Sequence, residues 1–329
     1  MHTRKSLLSI AVLAALAGTA VADNSSVNTN QVGSDNTLSV EQANAYASVT
    51  NINQSGSDNT AGTSGVWGVP VKQTATYSTL NINQLGSDNT ARASQSGNNN
   101  TLAISQTGSL GQDAGITQGG GHNAASVSQT WNNGTTGRIS QNANGGGNNS
   151  TASISQAANI GGSGRIDQGG SYSSASVYQT GNYYSSAQLT QKSGNGNSGV
   201  IVQNITGLTS AELSQRGSNN TGSVNQEWAA FSQADVAQVG NDNRATTYQT
   251  GWTQDIDLKQ DGHNNTAAAN QVGFNNEADI LQVGSYNTAA VNQVGLDTLN
   301  SVSLSQRGHS LSANMYQSGS GNTANVVQR

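Results

Sequence analysis

The chain of 329 residues has no cysteine, a single proline, and charged residues at only 9% of its length. Aromatic residues are scarce too, at 5%. The absence of cysteine excludes disulfide staples, a catalytic thiol and any zinc–thiolate site. The lone Pro70 excludes a proline-rich coil, although Gly, Asn, Gln and Ser abound. A charge content this low is unusual for a globular surface, and no basic patch offers itself to nucleic acid. No paired carboxylates, nucleophile elbow or phosphate loop stands in a context that supports catalysis, so neither an enzyme nor a cofactor is expected. The one long apolar run is Leu7 to Leu16, and it is too short to span a bilayer. Arg4 and Lys5 precede it and Ala20-Val21-Ala22 follows it. That is the pattern of a secretory signal peptide, residues 1–22, cleaved after Ala22. Losing Arg4 and Lys5 takes the formal charge from −5 to −7.

What is present is a period, and a fixed period names the architecture. A glutamine recurs at intervals of mostly eleven or twelve residues, among them Gln31, Gln42, Gln54, Gln84, Gln95, Gln106, Gln129, Gln179, Gln226, Gln271, Gln293, Gln317 and Gln328. Two residues earlier stands an aliphatic side chain, as at Ile52, Ile104, Val177 and Val326. Four residues earlier the residue is usually alanine, as at Ala91, Ala175 and Ala324. Ala-x-Ile-x-Gln has a period of two, so these three side chains share one face of a strand. The β-branched residues favour strand over helix. Segments such as Gly33-Ser34-Asp35-Asn36 and Gly262-His263-Asn264-Asn265 separate the strands. Gly and Asn tolerate positive φ, so these read as tight turns.

The expected fold is all-β: a two-sided parallel β-solenoid of about twelve strand-turn-strand coils, amyloid-like, over residues 23–329. Stacking like residues gives the glutamines a reason, because a buried amide is costly unless bonded and stacked amides bond one another. Asn36, Asn89, Asn220 and Asn322, each six residues before a ladder glutamine, are expected to do the same at the turns. Gln54 to Gln73 spans nineteen residues. The excess predicts an extruded loop near 62–70 and a strand weakened by Pro70. Smaller insertions fall at 145–150 and 297–300.

These residues resemble the curlin repeat, the unit of the curli fibre subunits of Gram-negative bacteria. That pattern is Ser, five residues, Gln-x-Gly-x-Gly-Asn-x-Ala, three residues, Gln. Gln317-Ser318-Gly319-Ser320-Gly321-Asn322-Thr323-Ala324 followed by Gln328 matches it from its first glutamine on. Ser78 to Gln84, Ser173 to Gln179 and Ser185 to Gln191 reproduce its opening. Asp35, Asp58, Asp88, Asn219, Asp242 and Asn264 replace its second glycine. The resemblance implies a secreted subunit of extracellular, cell-surface amyloid fibres in a biofilm matrix, either fibre builder or nucleator. It implies as partners the chain itself, other curlin-like subunits and an outer-membrane export pore, with matrix polysaccharide as a further contact. This chain has more than double the usual number of coils, and only Asp23 to Asn30 separate the cleavage site from the first ladder glutamine.

The competing reading is a monomeric secreted solenoid, an adhesin or ligand-binding protein. An ice-binding wall needs a regular rank of threonines, and the residues before the glutamines (Glu41, Asn53, Lys72, Tyr178) form none. Asp35, Asp58, Asp88 and Asp242 follow turn glycines, but the serial Gly-Gly-x-Gly-x-Asp calcium motif is absent. His122, His263 and His309 read as exposed turn residues. Trp131, Trp228 and Trp252 in turns, and Tyr178, Tyr248 and Tyr316 on strands, read as scattered surface aromatics. No capping segment stands before Gln31 or after Gln328, so both terminal strands are expected to accept another copy.

Overall fold

A computed structural model describes residues 24–62, 70–142, 147–295 and 299–329. The signal peptide with its cleavage after Ala22, and nearly all of the extruded loop, lie outside the described residues. So do parts of both smaller insertions.

The Ala-x-Ile-x-Gln units fold as strands of two parallel sheets, one of 13 strands and one of 15. The chain alternates between them. A first-sheet strand such as Thr101–Leu110 turns into a second-sheet strand, Asp113–Gln118, and then returns to the first sheet at Ala124–Thr130. Each such circuit is one coil. The described residues form thirteen coils, from the one holding Gln31 to the one holding Gln317, close to the expected number. Each coil takes two ladder glutamines, and the first coil is complete: Gln31 and Gln42 both keep their stacked places. The second sheet has extra strands because two of its rungs are broken. One is split into Thr37–Leu38 and Val40–Gln42, the other into Thr60–Ala61 and Val71–Thr76. Pro70 ends the second break, directly before Val71, where a missing backbone donor is tolerated. Gln73 still holds its register against Gln95.

Like residues stack on like. Ile116 lies over Ile139 and Gln118 over Gln141, and on the other sheet Gln31 lies over Gln54. The register slips by one residue near Leu85, and again between Gln226 and Ala229. The Ala, aliphatic and Gln positions of both sheets face each other across a thin core. Ile104 and Gln106 are 1% and 0% exposed. Where the facing residue reaches far across, glycine replaces alanine: Gly137 meets Val127 and Gly164 meets Ile154.

The turns bring consecutive coils too close for side chains. Gly240 has φ 109°, and a Cβ there would run into the carbonyl oxygen of Gly262 in the next coil. Two residues on, Asp242 takes φ 56°, a left-handed conformation that Asp and Asn accept more readily than other residues. Gly207, by contrast, has no atom near the position a Cβ would take. Gly240→Ala is expected to destabilise the soluble chain by about 1–3 kcal/mol, and Gly207→Ala to leave it unchanged or firmer. Urea unfolding followed by far-ultraviolet circular dichroism measures both.

Candidate functional site

The glutamines form two unbroken columns, one inside each sheet. In both, each Nε2 donates to the Oε1 of the glutamine in the following coil, at 2.6 to 3.1 Å. Gln31, Gln54, Gln84, Gln106, Gln129, Gln179, Gln226, Gln271, Gln293 and Gln317 belong to the first column. Gln42, Gln95 and Gln328 belong to the second. Along both columns the Nε2 also donates to a backbone carbonyl of the opposite sheet: Gln84 to Thr60, Gln226 to Ser210, Gln328 to Ser312. A carbonyl only accepts, so this bond fixes which way the amide points. Every coil therefore offers amide hydrogens toward its successor and amide oxygens toward its predecessor.

The asparagines stack side chain on side chain, as Asn89 Nδ2 does on Asn59 Oδ1 at 3.0 Å, and they reach the turn backbone as well. The Asn36 Oδ1 accepts from the backbone N–H of Asn59 at 3.1 Å, and also from its Nδ2. Asn220 repeats this with Asn243, while its own Nδ2 donates to the Gly240 carbonyl at 2.8 Å. Asn322 donates to the Oδ1 of Asn300 and to the Ser318 carbonyl, both at 3.0 Å. Each asparagine thus ties turn backbone to turn backbone. Asn89 is the exception. It is fully buried, and its Oδ1 has no partner. The register slip after Leu85 puts Gln112 where the next asparagine would stand.

The two outer walls differ sharply in charge. The first-sheet wall carries hydrogen-bonded rows, Asn28–Asn51–Asn81 and Asn30–Asn53–Asn83, followed by Ser126, Ser153 and Ser176. Glu227 and Arg244 are the only charged residues in its strands. The second-sheet wall holds most of the rest. Arg92 and Arg138 share Asp113, each at 2.8 Å. Farther along, Glu212, Asp235, Asp257 and Asp279 stack directly in register, with Asp255 and Glu277 beside them. Partial burial raises the carboxyls of Asp255, Asp257 and Asp279, and the neighbouring carboxylates raise them further.

The turn aromatics are not scattered. On the edge that leads from the first sheet to the second, consecutive coils expose Leu110, Trp131, Ile160, then Tyr183 with Tyr184, and Ile205 with Leu208. The row continues through Trp228 with Phe231, then Trp252, Phe274 and Leu299. Tyr183 and Tyr184 meet edge to face at 4.6 Å, and Phe231 lies 5.9 Å from Trp252. The Trp131 ring covers Gly108 of the coil before it, and Tyr184 covers Gly161. The same edge begins with Asp35, Asp58 and Asp88 instead. Backbone bonds place Tyr184, Leu208 and Phe231 in the same stacked position as those aspartates. The signal was in the sequence, because these residues all follow a first-sheet glutamine. It shows only when every second turn is compared. Of the strand tyrosines, Tyr178 and Tyr316 are exposed, while Tyr248 is half-buried and donates to Glu227 at 3.2 Å. On the opposite edge His122 lies exposed in a turn, whereas His263 and His309, expected in turns, are the exposed last residues of the strands Asp255–His263 and Asn300–His309. Among the described residues no group of three or more His, Cys, Asp or Glu is placed to hold a metal ion.

The family model of the Curlin associated repeat matches residues 78–108, 262–295 and 300–329. No curated protein matches the chain. The matched stretches are similar to the curlin repeat, and all three lie within the solenoid.

Gln179→Ala would strand the amides of Gln156 and Gln203, its hydrogen-bonded neighbours at 2.7 and 2.8 Å. The expected loss is about 1–3 kcal/mol, against less than about 0.5 kcal/mol for Ser176→Ala on the outer wall. Urea titration reads both. The acidic row sets a pH dependence. Its raised carboxyls hold protons in the folded chain at pH values where the unfolded chain has lost them. Stability is therefore expected to increase as pH falls from neutral toward the ordinary carboxylate range near about 4. The double variant Asp257→Asn, Asp279→Asn is expected to flatten that increase in thermal melts across the range.

Proposed function

We propose that the mature chain is a secreted structural subunit that polymerises into curli-like functional amyloid fibres in the extracellular matrix of a Gram-negative bacterium. It acts without a cofactor and catalyses nothing. The observation that carries this reading is the pair of one-way glutamine columns. Because every coil presents amide hydrogens on one side and amide oxygens on the other, any coil is a chemically correct neighbour for any other. A coil from a second copy can extend both columns and both sheets with the bonds already used inside the chain. Joining copies also covers strand edges that are costly to leave open.

The partners in this reading are the chain itself, other curlin-like subunits and an outer-membrane export pore. The charged second wall fits export as an unassembled chain, since stacked like charges oppose premature aggregation. The acidic row of Glu212, Asp235, Asp257 and Asp279 is the strongest such element.

Incubation of the purified mature chain with a β-sheet dye, followed by fibre diffraction, tests the proposal. Fibres with a meridional reflection near about 4.8 Å are expected. A chain that stays monomeric for days at micromolar concentration and gives no such reflection is instead the monomeric adhesin or ligand-binding solenoid.

A further inference from the structure

We infer that the apolar edge is a self-pairing surface: two copies dock edge to edge, antiparallel, about a two-fold axis at the coil carrying Ile205 and Leu208. The argument starts from how apolar and acidic residues divide this edge. Counting coils from the one that holds Gln31, the first three place Asp35, Asp58 and Asp88 on the edge, and coils four to twelve place apolar side chains there. The middle of that apolar stretch is coil eight, with Ile205 and Leu208 exposed by 43% and 50%.

Reversing a second copy about coil eight matches the edge to itself. Tyr183 and Tyr184 face Trp228 and Phe231, Ile160 faces Trp252, and Trp131 faces Phe274. Leu110 faces Leu299 at the margin. Asp88 falls opposite the uncharged turn Ser318–Asn322, and Asp35 and Asp58 overhang. Pairing in the parallel sense sets each aspartate against its own copy, which like charges oppose. Of the charges that border the apolar stretch, Glu227 is held by the Tyr248 hydroxyl on the adjoining wall, and Asp113, Asp255 and Glu277 open second-sheet strands at its rim.

An apolar occupant fits this edge better than a sugar chain does. Aliphatic Ile160, Ile205, Leu208 and Leu299 interrupt the rings and offer no hydrogen bonds to hydroxyls. The edge measures about 40 Å by 10–12 Å, so a pair buries roughly 800–1,000 Å², the size of a weak contact. The aromatic rings of Tyr183, Tyr184, Trp228 and Phe231 flank its centre, near where binding energy concentrates. Copies joined end to end would repeat the contact, and linked weak contacts add.

The pairing does not require end-to-end polymerisation, so the two proposals fail separately. Leu208→Asp with Phe231→Asp tests it. Both positions have φ 53° and stack in line with Asp58 and Asp88, at φ 54° and 57°, so aspartate suits the backbone there. The control is Tyr172→Asp with Tyr286→Asp on the opposite edge, at φ 56° and 57°. Sedimentation of the soluble chain and mass per length of its fibres are the readouts. Wild type and control are expected as pairs, and the Leu208/Phe231 variant as single solenoids with unchanged dye binding. Orientation is read by cysteine, which the chain lacks. Gly207→Cys in coil eight is expected to form a disulfide-linked dimer on oxidation, and Asn133→Cys, three coils away on the same edge, is not.

A wild-type chain that is single in both solution and fibre overturns the inference. So does a Leu208/Phe231 variant that still pairs, or a control that does not. Equal linking at both cysteines overturns the antiparallel arrangement. Retention on cellulose that the Leu208/Phe231 variant loses, by a wild type that never pairs, assigns the edge to polysaccharide. Pairs without fibres uphold this inference and remove the fibre proposal.

Discussion

Everything in this molecule follows from burying a primary amide in a core too thin to hydrate it. A buried amide must find two donors' worth of acceptors and at least one donor. Here one hydrogen goes to the next glutamine and the other to a backbone carbonyl across the core, as Gln226 shows with Gln249 and Ser210. That demand can be met only if the next coil places its own glutamine at the same height and depth. Register is therefore fixed more strictly than a hydrophobic face alone would fix it, since the aliphatic position accepts Ile, Val, Leu, Met and even Thr247.

The turns obey the same constraint from the backbone side. Coils stack so closely that the turn glycines touch carbonyls of the next coil, and the asparagines behind them bond backbone to backbone. Where the next coil gains Gly108 opposite the Leu85–Gly86 step, the cost is local: the Asn89 Oδ1 loses its partner, while the glutamine column continues through Gln84 and Gln106 undisturbed. The core ladder tolerates irregular turns, and that tolerance lets the two edges diverge chemically.

That freedom produces a molecule with four distinct sides. One wall is nearly uncharged, the other carries a basic stretch and then an acidic row, one edge is mainly polar with Tyr46, Tyr77, Tyr172 and Tyr286 exposed along it, and one edge is apolar over nine coils. A polymer built from such a unit would expose the same four sides along its whole length. Chemistry borne by one chain then becomes a continuous stripe on the assembly. Charge on one wall keeps such a stripe in water, while the apolar edge seeks cover.

The sequence by itself determined the strand faces, the parallel stacked architecture and the break at Pro70. Ala-x-Ile-x-Gln names its inward face by alternation, and a shared period leaves only stacking to bury it. The coil number was legible as well, since each coil takes two ladder glutamines. Only the tertiary structure decided the direction of the amide columns, because most of the amides are oriented by a backbone carbonyl, as Gln226 is by that of Ser210. It also decided the charge partition and the apolar edge. Consecutive intervals of eleven or twelve residues alternate between sheets, so neighbours in space are residues some twenty-three apart, as Gln31 is from Gln54. Trp131, Ile160 and Tyr183 look unrelated when each turn is compared with the next, and they form one row once the coil brings every second turn together.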